Sequence, residues 1–93
     1  MQIRLDKKFE INFNATLEYI AKDKLSASKT FRQELLKQIK NLPNFPYKFR
    51  KSIYFNDDNI RDMIYKGYTI VYEIDLKNNR IILLNIFNKN RLY

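Results

Sequence analysis

The sequence holds no cysteine and no histidine, and its 93 residues include one glycine and two prolines. Without cysteine there is no disulfide framework and no thiolate chemistry, which suits a reducing cytoplasm. Without histidine the chain lacks the usual neutral-pH acid/base group and the commonest zinc ligand. One glycine cannot build a phosphate-cradling loop. No metal site is legible and no cofactor is expected. No apolar run approaches the ~20 residues that span a membrane, and the N-terminus has no signal-peptide core. A cytoplasmic protein without a membrane partner is the expectation.

What is present is apolar and basic. Hydrophobic residues make up 45% of the chain, with seven Tyr and seven Phe, so an ordered core is expected. Residues 1–93 read as one domain, which at this size buries roughly 60–65% of its unfolded surface around one core layer. The formal net charge of +8 favours an acidic partner: nucleic acid, an acidic protein or a membrane surface. The same abundance of Lys and Asn is also what an AT-rich genome would give.

Residues 59–88 read as three consecutive antiparallel strands. In the middle one Tyr68, Ile70, Tyr72 and Ile74 alternate with Thr69, Val71, Glu73 and Asp75, the period of a half-buried strand. Lys66-Gly67 makes the reversal before it, because glycine accepts the positive φ of a hairpin turn. Lys77-Asn78-Asn79 makes the reversal after it. The third strand, residues 80–88, is apolar on both faces and is expected to be central or covered on both sides.

Upstream, Gln2-Ile3-Arg4-Leu5 is a short strand ended by Asp6, which can cap a helix. Phe9, Phe13, Leu17 and Ile20 then recur at helical spacing. A strand over residues 9–13 competes with this reading, and the earlier helix start is preferred. The run Asp23-Lys24-Leu25-Ser26 breaks the helix, and Ser26 can cap a second one with Ala27, Phe31, Leu35, Ile39 and Leu42 on its stripe. Pro43 stops that helix, and Pro43-Asn44-Phe45-Pro46 reads as an extended connector. Residues 47–55 (YKFRKSIYF) form a further strand or an extended arm. The expected fold is α+β in the order β-α-α-β-β-β, a helical hairpin packed on one face of an antiparallel sheet.

The carboxylates carry little signal. Asp57-Asp58 has ordinary turn composition, and Glu73 and Asp75 read as solvated charges. The cations carry more. Arg50, Lys51, Arg61, Lys66, Lys89 and Arg91, interleaved with Tyr47, Tyr54, Tyr65 and Tyr93, make a set that can hold a phosphate backbone and stack bases.

These residues resemble the RelE/ParE superfamily of toxins from type II toxin–antitoxin systems across nearly the whole chain. The resemblance lies in Leu17-Glu18-Tyr19-Ile20-Ala21, Phe31, Leu35, Asn59-Ile60-Arg61, Gly67-Tyr68-Thr69-Ile70-Val71-Tyr72 and Ile82 to Ile86. It implies a small toxin with a cognate acidic antitoxin, acting either on DNA gyrase, as ParE-like members do, or as a ribosome-dependent mRNA endonuclease, as RelE-like members do. For a nuclease it implies Lys51, Arg61, Lys89, Arg91 and Tyr93 as catalytic candidates. Target contact would fall to Arg50, Lys51, Tyr54, Arg61, Lys66, Lys89 and Arg91. RelE-like members carry an Arg close before the Gly-Tyr of the middle strand, where this chain has Met63-Ile64-Tyr65-Lys66. That departure, with the spacing from Arg61 to Tyr72, favours ParE-like action. A non-catalytic nucleic-acid-binding module is the reading outside the family.

Overall fold

The computed structural model describes residues 1–88. Strand β1 (Gln2–Leu5) leads into helix α1 (Lys7–Asp23) and helix α2 (Leu25–Asn41), followed by a 3-10 turn at Leu42–Asn44. Strands β2 (Arg50–Lys51), β3 (Ile60–Tyr65), β4 (Tyr68–Asp75) and β5 (Arg80–Asn88) complete the chain. The five strands form one sheet in the order β1-β5-β4-β3-β2.

The sheet is mixed. Strands β2 to β5 pair antiparallel, but β1 runs parallel to β5, with Gln2 opposite Arg80 and Leu5 opposite Leu83. β4 occupies the other side of β5, so this edge is the one open to β1. The parallel direction lets the Asp6 amide donate to Leu83 O at 2.9 Å and the chain turn straight into α1.

Asp6 caps α1 as its sequence implies, its carboxylate accepting from the Lys7 amide at 3.1 Å. The break between the helices is a single residue. Lys24 is extended (φ −155°, ψ 114°), closes α1 by donating to Ile20 O and opens α2 without a side-chain cap. Ser26 therefore lies inside α2 and does not cap it. Ser28 ties the hairpin instead, its hydroxyl donating to Leu17 O at 2.7 Å. On α2 the buried positions are Ser28, Phe31, Leu35 and Ile39, and Ala27 is exposed.

The helices cover one side of the sheet. Phe9, Phe13, Phe31, Leu35, Ile39 and Leu42 pack on Met63, on the alternating Tyr68, Ile70, Tyr72 and Ile74 of β4, and on Ile81, Leu83 and Ile86 of β5. Phe31 joins the layers through rings, 5.3 Å from Tyr65 and 5.2 Å from Tyr68. The β3–β4 turn is Lys66-Gly67 with φ of 48° and 83°, the positive pair that a tight hairpin of matching twist requires.

The opposite side of the sheet is partly covered too. Thr69 and Val71 are buried although they face away from the helices. Residues 52–55 leave the sheet after β2 and fold back over this side. The Ile53 amide donates to Asp62 Oδ2 at 3.2 Å, and the Tyr54 ring meets Phe87 edge-on at 5.3 Å. Of residues 47–55, expected as a further strand or an extended arm, only Arg50–Lys51 is strand, because the aromatic end is used as a cover. β5 also carries a bulge. Val71 faces Asn85 and Tyr72 faces Leu83, leaving Leu84 unopposed. Asn85 Oδ1 accepts from the Ile86 amide at 2.9 Å and from Asn12 Nδ2 of α1 at 2.6 Å, which pins the bulge to the helix.

Candidate functional site

The sheet brings three of the candidate cations together at the start of β3. Lys51 pairs with Arg61, and Arg50 with Asp62, across the β2–β3 ladder. Arg61 is partly buried and heavily engaged. Its Nε donates to Asp58 O at 2.9 Å, its Nη1 donates to Phe49 O at 3.1 Å, and its guanidinium lies 4.9 Å from the centre of the Tyr47 ring. Tyr47 in turn donates its hydroxyl to Asn59 Oδ1 at 2.6 Å. Arg61 therefore clasps the arm entering β2 to the turn entering β3, using the fixed fork of its guanidinium.

Arg50 meets Asp62, whose side chain is fully buried, at 3.4 Å from Oδ2. Lys51 Nζ lies 3.2 Å from Asp58 Oδ1 at the exposed surface, a pair worth about 0–1 kcal/mol. Lys66 sits six residues of chain from Ile60, at the hairpin end of β3, with its ammonium 5.6 Å from the Tyr65 ring. That end is roughly 16 Å along the strand from Arg61. Tyr54 lies on the far side of the sheet. Lys89, Arg91 and Tyr93 lie outside the described residues.

Two side chains central to this region escaped the sequence reading. Asp62 is one; the signal was a lone carboxylate in β3, between Arg61 and the apolar Met63 and Ile64. Tyr72 is the other. Its alternation marked it as core, and its hydroxyl donates to Pro46 O at 2.6 Å, which anchors the arm from beneath. Burial pushes the Tyr72 phenol up to about 12, the nearby Arg61 charge pulling the other way. At neutral pH it is a neutral donor. Asp75 is not simply solvated either. It pairs with Arg80 at 2.8 Å, and hydrogen bonds from Asn78, then the Arg80 partner, hold its carboxyl below the usual range.

The Tyr72 shift has a readable consequence. A folded-state pKa above the ordinary value of 10 favours the folded chain fully below pH 10, and that contribution is lost as pH rises from about 10 towards about 12. Thermal unfolding followed across that window should show a steeper loss of stability for the wild type than for Tyr72→Phe, which has no phenol to ionise. Parallel curves would remove the buried-phenol interpretation.

Among the described residues no cluster of His, Cys, Asp or Glu is arranged to hold a metal ion, and no helix is long and apolar enough to cross a membrane.

Residues 3–93 match the family described as ParE toxin of type II toxin-antitoxin system, parDE. No curated protein sequence matches the chain. A solved structure described as the chromosomal ParDE TA system from P. aeruginosa shares the fold, with a TM-score of 0.73, 13% identity and 95% of each chain covered.

Proposed function

This chain belongs to the ParE toxin family of type II toxin–antitoxin systems, and from that premise we propose that it arrests growth by binding DNA gyrase through a complementary surface rather than by cutting mRNA. It is the toxin of a pair, and an antitoxin is its partner. The acidic character of that antitoxin and a cytoplasmic site of action belong to the proposal, and both suit the charge of +8.

The observation that favours a binding surface over a nuclease is the state of Arg61. Stabilising a developing phosphorane charge needs donors aimed at the substrate. Two of the Arg61 donors are spent on the carbonyls of Phe49 and Asp58. Tyr72, the buried hydroxyl nearest to it in the sheet, is a neutral donor to Pro46 O. Lys51 Nζ lies 3.2 Å from Asp58 Oδ1, so it too is turned to a group of the protein. The end of the sheet is built to hold an arm in place.

On this reading the arm, residues 45–51, presents the contact surface, and Arg50 and Lys51 contribute charge to it. Purified gyrase in a molar excess of the free protein should lose supercoiling activity and accumulate cleaved DNA, and premixed antitoxin should prevent both. Undiminished supercoiling would overturn the proposal.

A further inference from the structure

A second basic surface runs from the last turns of α2 into the arm, and none of the cations discussed so far forms it. Lys37 and Lys40 are exposed, one helical turn apart, on the side of α2 away from its buried stripe. Three hollows follow one another from there. The first, about 480 Å³, is bordered by Lys37 and Lys40 and ends at Gln38 and Asn41. The second, about 100 Å³, shares Gln38 and Asn41 and reaches Phe45 and Lys48. The third, about 680 Å³, shares Phe45 and Lys48 and extends to Tyr47. The shared residues make the three a row of adjoining hollows, a shallow groove that Phe45 interrupts.

Phe45 borders two of these hollows and is 63% exposed, so it stands as a partition with open space on either side. Lys48 is held beside it, its ammonium 5.5 Å from the Phe49 ring. Among the described residues the only carboxylate bordering the groove is Glu34, at the α2 end. A partner for this surface must be anionic and must offer flat apolar faces. An acidic helix offers carboxylates with aliphatic knobs, which need a hole to enter. A single nucleic-acid strand offers phosphates together with unstacked bases, which need an open ring. A duplex keeps its base faces covered.

We infer that this groove holds a short single strand of DNA, with a base stacked on Phe45 and phosphates on Lys37, Lys40 and Lys48. The choice of DNA over RNA rests on the gyrase reading, since that enzyme opens and reseals DNA; the stacking and charge argument does not depend on it.

The test is fluorescence anisotropy of a short labelled oligothymidylate with the free toxin, without gyrase. Phe45→Ala should weaken binding by about 5- to 150-fold, the worth of one stacked base. Phe45→Leu, which keeps apolar bulk without a ring, should weaken it in the same direction. Replacing Lys37, Lys40 and Lys48 together with Gln should flatten the slope of log affinity against log salt by about 2. Far-ultraviolet dichroism should not change in any of them, because these side chains are exposed. Wild-type failure to bind oligothymidylate, wild-type affinity in either Phe45 variant, or preference for oligouridylate would overturn the inference. So would loss of antitoxin affinity with oligothymidylate affinity intact, which would give the groove to the protein partner. Such a failure leaves gyrase inhibition to be judged by its own assay, and a gyrase-negative result leaves strand binding measurable.

Discussion

Phe9→Ala should lower the unfolding free energy by about 3–5 kcal/mol, the range for emptying a buried phenylalanine site. Phe9 is 0% exposed and lies 5.4 Å from the Phe13 ring, so it fills the layer between α1 and the sheet. A domain of this size has a total stability of about 5–15 kcal/mol, so the variant should populate unfolded chain at physiological temperature. Urea denaturation measures this directly. Ile11→Ala on the same helix is the matched comparison, since Ile11 is 58% exposed; its change should stay within about 0.5 kcal/mol. Similar midpoints for the two variants would contradict the assigned packing of α1.

Arg61→Ala should cost about 2–3 kcal/mol, because it removes two charge-assisted hydrogen bonds to backbone carbonyls at a partly buried position. In a domain of this length that is a fall in melting temperature on the order of 10–20 °C. Arg61→Lys should recover little of it. A lysine ammonium is a point charge on a flexible stem and cannot span Asp58 O and Phe49 O as the planar guanidinium does. Amide exchange in residues 47–50 should rise in both variants, because the arm loses its clasp. A stability unchanged within about 0.5 kcal/mol, the mark of an ordinary surface position, would mean that Arg61 is free for other work and would reopen the catalytic alternative.

Much of the fold was legible because local chemistry and tertiary packing agree. The Lys66-Gly67 turn needed positive φ at both positions and had the one glycine of the chain in place. The alternation of Tyr68, Ile70, Tyr72 and Ile74 marks the side that the helices cover, and Asp6 caps α1 where a short carboxylate precedes an apolar period. The misreadings fall where pairing partners or backbone decide. Nothing in Gln2-Ile3-Arg4-Leu5 says which way a four-residue strand will run. Leu42 takes helical angles (φ −56°, ψ −39°) although it precedes a proline, so a 3-10 turn replaces the extended connector; Phe45, before Pro46, does leave the helical region. The bulge at Leu84 is pinned through Asn85 to the Asn12 amide, which is 73 residues from Asn85 in sequence.

The site was legible in its cations but not in their use. Arg50, Lys51 and Arg61 do converge, as ladder geometry allows. Charge alone could not say that Arg61 would turn to two carbonyls, that Arg50 would meet a buried Asp62, or that Lys66 would sit at the other end of β3. Those outcomes depend on where the chain returns after the 52–59 loop. Among the described residues the candidate cations lie at the two ends of β3.

The most direct measurement is to map mRNA 5′ ends and DNA breaks in the same cells minutes after a pulse of this protein. Growth arrest with intact messages and gyrase-dependent DNA breaks is the predicted result. Abundant new 5′ ends within translated frames, abolished when translation is blocked, would contradict it and make the chain a ribosome-dependent nuclease.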